Sequence, residues 1–108
     1  MVQVTEYVDA HDRRPFGRWF DRLDGPAAAK VTAALDRMER GILSNTKGVG
    51  AGVWEYRIDA GPGYRIYFGR DGETLIVLLG GGTKRRQQSD IETARRHWRD
   101  YRRRRQEE

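Results

Sequence analysis

Three short segments of alternating apolar and polar residues follow one another closely between residues 53 and 79. In residues 53–59 the alternation includes Trp54, Tyr56 and Ile58, and the same period of two recurs in residues 64–69 and 75–79. This period is typical of β-strands that bury one face. The sequence therefore predicts three consecutive strands joined by hairpins.

The Asp71-Gly72 pair between the second and third segments is typical of a two-residue hairpin loop. Such a loop places Arg70 opposite Glu73. The register that follows pairs only apolar residues: Phe68 with Leu75, Ile66 with Val77, and Tyr64 with Leu79.

The first hairpin is constrained by the pleat of the sheet. A four-residue loop would set Ile58 opposite Arg65 and mix the two faces, which is unfavourable when one face is buried. We therefore predict a loop of three or five residues, with Gly61 or Gly63 supplying the positive φ. Arg57 then lies opposite Arg65, and Glu55 lies opposite Tyr67.

The predicted pairing sorts the side chains of the meander onto two faces. One face is apolar and carries Trp54, Tyr56, Ile58, Tyr64, Ile66, Phe68, Leu75, Val77 and Leu79. The other face is charged and carries Glu55, Arg57, Arg65 and Tyr67 beside Ile76 and Leu78.

The segments before the meander predict a strand and two helices. Residues 1–8 alternate like a strand, and apolar residues spaced three and four apart follow Pro15, a residue suited to a first helical turn. The break at residues 24–26 ends this helix and begins a second, for which Gly41 is a suitable end. The glycine-rich residues 44–52 are expected to form an exposed, mobile loop.

The segment after the meander predicts a final helix that is basic and amphipathic. Residues 89–92 read Ser-Asp-Ile-Glu, the capping-box pattern of a helix start. The predicted fold class is α+β: an N-terminal strand and a two-helix hairpin packed on a mainly antiparallel four-stranded sheet, with a C-terminal basic helix. We expect residues 1–108 to form a single domain, in which residues 102–108 form a tail that can be disordered.

Composition excludes several kinds of site. The chain has no cysteine and two histidines, which excludes thiol catalysis, disulfides and Cys-ligated metals. No apolar run approaches the roughly 20 residues of a membrane span, and the acidic N-terminal region is unlike a secretory signal. We expect a cytoplasmic protein that needs neither a metal nor another cofactor and does not bind membranes.

The positive charge is concentrated near the C-terminus. The net charge is +5, yet residues 1–83 contain equal numbers of basic and acidic side chains. Residues 84–105 contain ten basic residues against three acidic ones. A local basic block of this kind indicates a polyanionic partner, most often a nucleic acid.

Two arginines facing each other on adjacent strands repel, so the predicted pair of Arg57 and Arg65 needs a compensating partner. Glu55 can neutralise the pair as part of an ordinary solvated sheet face. Alternatively, the guanidinium groups are arranged to bind a phosphate, whose oxygens match their donors. Lys84, at the end of the next strand, is expected near the same point, which favours a phosphate site.

Such a site has the groups needed to cleave RNA. The substrate provides its own nucleophile, the 2′-OH, so the protein must orient it, stabilise the charged phosphorane and transfer protons. Glu55, or Tyr67 with a pKa lowered by the arginines, is a candidate base, and Lys84 or an arginine can stabilise the leaving oxygen.

Three blocks of this sequence together resemble the RelE/ParE toxin superfamily, and more narrowly its HigB-like branch of addiction module killer proteins. The blocks are residues 54–58 (WEYRI), residues 61–68 (GPGYRIYF) and residues 79–84 (LGGGTK) followed by residues 87–91. The resemblance spans nearly the whole chain. It implies a RelE-like fold and the toxin of a type II toxin–antitoxin system that cuts mRNA on the ribosome without a metal.

The same resemblance implies site residues and partners. Arg65, Lys84 and Arg57 match the basic residues of the family blocks, and Lys47 matches a basic loop residue before them. The partners implied are the ribosome, mRNA and a cognate antitoxin of the helix-turn-helix type, bound in a toxin–antitoxin complex. Together with the basic C-terminal block, this gives an expected RNA-binding set: Lys47, Arg85, Arg86, Arg95 and Arg99.

Two other functions stay open from the sequence. A ParE-type toxin of the same superfamily inhibits DNA gyrase and is not a nuclease. A non-catalytic RNA- or ribosome-binding module would use the basic helix alone. The clustering of Arg57, Arg65 and Lys84 favours the nuclease, because a gyrase inhibitor has no need of a phosphate-oriented site.

Overall fold

The computed structural model describes residues 1–107. Its strands are β1 (Gln3–Glu6), β2 (Thr46–Gly48), β3 (Trp54–Ile58), β4 (Tyr64–Asp71) and β5 (Leu75–Thr83). Its α-helices are α1 (Pro15–Asp21), α2 (Gly25–Glu39) and α3 (Gln87–Glu107), and a 3-10 turn over Lys84–Arg86 joins β5 to α3. No helix within the described residues is long and apolar enough to cross a membrane.

The strands form one sheet in the order β1-β5-β4-β3-β2. β1 runs parallel to β5, and the other neighbouring pairs are antiparallel. The mixed α+β class and the mainly antiparallel sheet are confirmed. The prediction of four strands is wrong, because residues 1–107 contain five.

The additional strand, β2, lies in the glycine-rich segment that was expected to be a mobile loop. Thr46–Gly48 pairs with β3, and Lys47 lies directly opposite Glu55. The chain reverses tightly after it, where the amide of Val53 donates to the carbonyl of Gly50. The glycines at this reversal allow the turn but lower the β-propensity of the segment, so the sequence pattern does not indicate a strand here.

The two-helix hairpin is positioned by caps that the sequence predicts. The Asp24 carboxylate accepts a hydrogen bond of 2.8 Å from the amide of Ala27 and so begins α2. At the other end, the amides of Gly41 and Ile42 donate to carbonyls of the last turn, and Gly41 has a φ of +78°. This is the Schellman arrangement that a glycine favours.

The predicted register of the first hairpin is confirmed and that of the second is wrong. Arg57 pairs with Arg65 and Glu55 with Tyr67, across a five-residue loop. In the second hairpin Asp71 pairs with Leu75, so the turn has three residues instead of two. A bulge beside Tyr67 and Phe68 then shifts the register once more.

The changed register moves the side chains of β5 to the opposite faces from those predicted. Helices α1 and α2 cover an apolar cluster of Phe16, Trp19, Val31, Ala34, Met38, Tyr56, Ile66, Phe68, Ile76 and Leu78. Helix α3 covers a second cluster on the other face, made of Tyr7, Val53, Tyr67, Val77, Leu79, Ile91, Ala94 and Trp98. Both faces of the sheet are therefore covered by helices.

Helix α3 begins at Gln87, two residues before the predicted start at Ser89. The chain passes from β5 through the 3-10 turn directly into the helix, which puts Asp90 in its first turn. The helix continues through Arg102–Arg105, where Arg104 donates to the carbonyl of Val8 and Arg105 pairs with Asp71. Glu108, the last residue of the expected tail, lies outside the described residues.

Candidate functional site

Arg57 and Arg65 lie opposite each other at the end of the β3–β4 hairpin. Their surroundings differ strongly. Arg57 is exposed, whereas only 5% of Arg65 is exposed. The two guanidinium groups that were predicted to act together therefore differ in their access to solvent: that of Arg57 lies at the surface, and that of Arg65 is largely buried.

Glu55 provides the counter-charge for Arg65. Its carboxylate is fully buried, and Oε1 lies 3.5 Å from Nε of Arg65 and 3.9 Å from Nζ of Lys47. Its other oxygen accepts a 2.8 Å hydrogen bond from the side-chain amide of Gln87 at the start of α3. β2, β3, β4 and α3 thus each contribute one polar group to a single buried cluster.

The hydrogen-bonding groups of this cluster are only partly paired. Three of its buried atoms have no hydrogen-bond partner among the described residues: Oε1 of Glu55, Nε of Arg65 and the hydroxyl of Tyr67. The charge of Arg65 is therefore compensated within the protein by Glu55, and only 7% of the Arg65 side chain is exposed.

The expectation that the arginines lower the pKa of Tyr67 is wrong. Burial raises this pKa above its ordinary value, and the nearby carboxylates of Glu55 and Asp90 raise it further. Only 1% of Tyr67 is exposed. A neutral phenol covered in this way has no access to a substrate proton.

Gly63 brings Lys84 and Arg65 close together. The amide of Lys84 donates a 3.0 Å hydrogen bond to the carbonyl of Gly63. A Cβ atom on Gly63 would lie 3.6 Å from Cβ of Lys84 and 3.7 Å from Nη1 of Arg65. The φ of Gly63 is +77°, which favours glycine at this turn. Cβ of the exposed Lys84 and Nη1 of Arg65 therefore both lie beside Gly63.

Gln87 and Asp90 belong to this region although the sequence did not identify them as site residues. A Cβ atom on Gly82 would lie 2.1 Å from a carboxylate oxygen of Asp90, so this carboxylate packs directly on β5. Burial raises the pKa of Asp90, and the charge of Arg86 opposes the shift. Asp90 lies in the capping-box segment, and both residues lie in the stretch 87–91 that follows the third block of the resemblance, but neither signal marked them as site residues.

The residues expected to bind RNA fall into two groups. Lys47, Arg85, Arg86 and Arg99 are exposed. Arg95 is half-buried, and both its Nε, at 2.9 Å, and its Nη2 donate to the carbonyl of Val49. Arg95 therefore fastens the β2–β3 turn to α3, and its guanidinium is already occupied.

Metal-ligating side chains are not clustered within residues 1–107. No group of three or more His, Cys, Asp or Glu side chains there is arranged to hold a metal ion. The polar cluster instead joins one buried carboxylate to two cationic side chains, Arg65 and Lys47.

The fold and the cationic cluster define a small α+β protein that presents positive charge at the end of its sheet. The chain belongs to the family of phage-derived Gp49-like proteins (DUF891), whose family model matches residues 18–99. Membership in this family is compatible with a toxin of a toxin–antitoxin system, for which a cognate antitoxin is the partner.

The chain is also similar to an uncharacterised protein of Haemophilus influenzae. The two are 38% identical over 81 residues, which cover 74% of this chain and 82% of that protein. The similarity therefore covers most of the length of each protein.

Proposed function

We propose that this protein is a HigB-like toxin of a type II toxin–antitoxin system and cuts mRNA on the ribosome without a metal or other cofactor. The observation that carries the proposal is the environment of Arg65. Its guanidinium is compensated from within by Glu55, and its Nη1 atom lies beside the turn that holds Lys84. Arg57, directly opposite on β3, adds a further exposed positive charge.

Cleavage of RNA by its own 2′-OH suits these groups. The 2′-oxygen attacks the adjacent phosphorus, and the bond from phosphorus to the 5′-oxygen breaks. The products are a 2′,3′-cyclic phosphate and a 5′-hydroxyl, after one proton leaves the 2′-oxygen and one reaches the 5′-oxygen. Negative charge grows on the phosphorane between these events, and preorganised cations stabilise it most effectively where water is partly excluded.

The burial of each residue suggests its role. Arg65 binds the non-bridging oxygens of the phosphate, and Glu55 is a positioning residue that holds the guanidinium. Lys84 is exposed and has a flexible stem, so it can approach the leaving oxygen. Arg57 attracts the RNA backbone. Tyr67 forms the wall behind Arg65 instead of acting as a base.

The partners proposed are mRNA, the ribosome and a helix-turn-helix antitoxin in a heteromeric complex, and the proposed location is the cytoplasm. Arg85 and Arg86 follow Lys84 in an exposed 3-10 turn. They extend the positive surface beside the candidate site and suit a ribosomal RNA backbone, whose affinity is dominated by phosphate contacts.

The test is expression without antitoxin, followed by primer extension on cellular mRNA. We expect new 5′ ends in codon register and an arrest of translation. Lys84→Ala should reduce cleavage by about 100-fold, the usual effect of removing one preorganised group from a transition state. Lys30→Ala, an exposed lysine on α2, is the matched control, and Tyr67→Phe should retain cleavage.

Two results would contradict the nuclease. Inhibition of gyrase-dependent supercoiling without new mRNA ends would establish the ParE-type activity. Arrest of translation that survives Lys84→Ala, with intact mRNA, would instead identify a binding module that acts without cleavage.

A further inference from the structure

A second basic surface lies at the opposite end of α3 from the candidate site. A groove of about 630 Å³ opens there between Gly52, Trp54, Arg70, Asp71, Trp98, Tyr101, Arg102, Arg105 and Gln106. Its volume is in the range of ligand-binding clefts. We call it the Trp54 groove.

Trp54 is unusual among the large apolar side chains of the sheet because 39% of it is exposed. On the α3 face, Trp98 and Tyr101 stack with ring centroids 5.1 Å apart and an interplanar angle of 7°. The groove is therefore lined from both faces of the sheet, because Trp54 pairs with Phe68 on the face that α1 and α2 cover. A flat, accessible indole of this kind is a typical platform for an unpaired base.

The charges of the groove favour a phosphate backbone. Asp71 is its one acidic residue, and its carboxylate accepts hydrogen bonds of 2.7 Å from Tyr101 and 2.9 Å from Arg105. Those contacts lower the pKa of Asp71 and use its charge within the protein. Arg70 and Arg102 are exposed and form no ion pair within residues 1–107, so they are available for an anion.

A neighbouring groove continues this surface along α3. It shares Trp98, Arg102 and Gln106 with the Trp54 groove and is also lined by Arg99. Arg99 and Arg102 are exposed on successive turns of the same helix. At a rise of 1.5 Å per residue, Arg102 lies about 22 Å along α3 from Gln87, a distance that a few nucleotides can span.

We propose that the Trp54 groove binds single-stranded RNA, with one base stacked on Trp54 and the adjacent phosphates held by Arg70 and Arg102. The further statement that this RNA is the mRNA being cut rests on the proposed function. An acidic peptide would also meet the arginines. The exposed indole and the continuous arginine path beside it match the repeating base and phosphate of a nucleic acid better.

The test is fluorescence anisotropy of a labelled oligouridylate with the full chain and no ribosome. Trp54→Ala should weaken binding about tenfold, and Trp54→Phe should retain most of the affinity because stacking needs only an aromatic face. Arg102→Gln should weaken binding and reduce the slope of log K against log salt by about 0.7, the value for one phosphate contact on a single strand.

Arg37→Gln is the matched control, because it removes one exposed arginine on α2, away from the groove. Equal losses for Arg37→Gln and Arg102→Gln would overturn the proposal, since they would indicate unspecific attraction. Unchanged binding by Trp54→Ala, or preference for an oligoglutamate peptide, would overturn it as well.

The result is independent of catalysis because the assay contains no ribosome. RNA binding that depends on Trp54, without cleavage in cells, would keep the groove and reject the nuclease. Cleavage in cells that Trp54→Ala leaves unchanged, together with unaltered oligouridylate binding, would keep the nuclease and reject the groove.

Discussion

The two faces of the sheet are covered in similar ways and contain different chemistry. Under α1 and α2 the buried residues of the sheet are all apolar or aromatic, as with Ile66 and Phe68. Under α3 the sheet buries an apolar cluster and, beside it, the carboxylate of Glu55 and the guanidinium of Arg65. Each face also packs one tryptophan ring against a glycine: Trp19 on Gly81 and Trp98 on Gly69.

This difference indicates that apolar burial and the buried ion pair contribute to the molecule in different ways. An apolar face stabilises the fold through the area it removes from water, about 25 cal/mol per Å². A buried ion pair contributes little net stability, because desolvation offsets the attraction between the charges. The Glu55–Arg65 pair therefore holds Arg65 in one orientation without adding much to the free energy of unfolding, and the stability of the α3 face comes from its apolar cluster.

The largest effect should come from removing one partner of the buried pair. Glu55→Ala leaves Arg65 covered and without its nearest counter-charge, so we expect a loss of about 3–5 kcal/mol in the free energy of unfolding. The measurement is urea denaturation followed by circular dichroism. The double variant Glu55→Leu with Arg65→Met should recover most of the loss. A loss below about 1 kcal/mol for Glu55→Ala would mean that water reaches Arg65.

A smaller effect should follow from adding a methyl group to the two glycines that pack against tryptophan rings, and it should be similar on the two faces. A Cβ atom would lie 2.4 Å from Trp98 in Gly69→Ala and 2.2 Å from Trp19 in Gly81→Ala. Overpacking of this kind typically lowers the free energy of unfolding by about 1–3 kcal/mol. Thermal denaturation should show it, with Gly25→Ala as the control because nothing lies within 4 Å of its Cβ position. Tolerance at Gly69 alone would show that α3 packs loosely.

The smallest effect concerns pH and should belong to the α3 face alone. Burial raises the pKa of Asp90 in the folded protein, so the folded state binds more protons than the unfolded state above pH ~4. The contribution of Asp90 to stability therefore falls as pH rises through this window. The difference in the free energy of unfolding between the Asp90→Asn variant and the wild type should therefore favour the variant more at pH 7 than at pH 4. A gain that is equal at both values would contradict the raised pKa.

The sequence could predict the site as far as local geometry determines it. The alternation in residues 54–58 and 64–68, with Gly63 at the turn, fixes the pairing of Arg57 with Arg65. The second hairpin could not be predicted in the same way. Its three-residue turn and its bulge beside Tyr67 depend on packing from both faces, and the sequence carries no marker for a bulge at this position.

Burial was the other property that the sequence could not provide. Arg65 and Tyr67 belong to the face that the sequence pattern predicts to be charged, and they are excluded from water because α3 lies across this face of the sheet. The contact of Gln87 with Glu55 spans 32 positions of the chain. Such a long-range contact follows from the docking of α3 and not from any periodicity in residues 84–107.

The backbone hydrogen bond between Gly63 and Lys84 couples a surface turn to the lysine of the candidate site. A change of length in residues 59–63 would displace the backbone of Lys84, and with it the ammonium group, without replacing any charged residue of the candidate site. Relatives with different turns at this position can therefore differ in the distance between the arginine and the lysine of this cluster, even where both residues are the same.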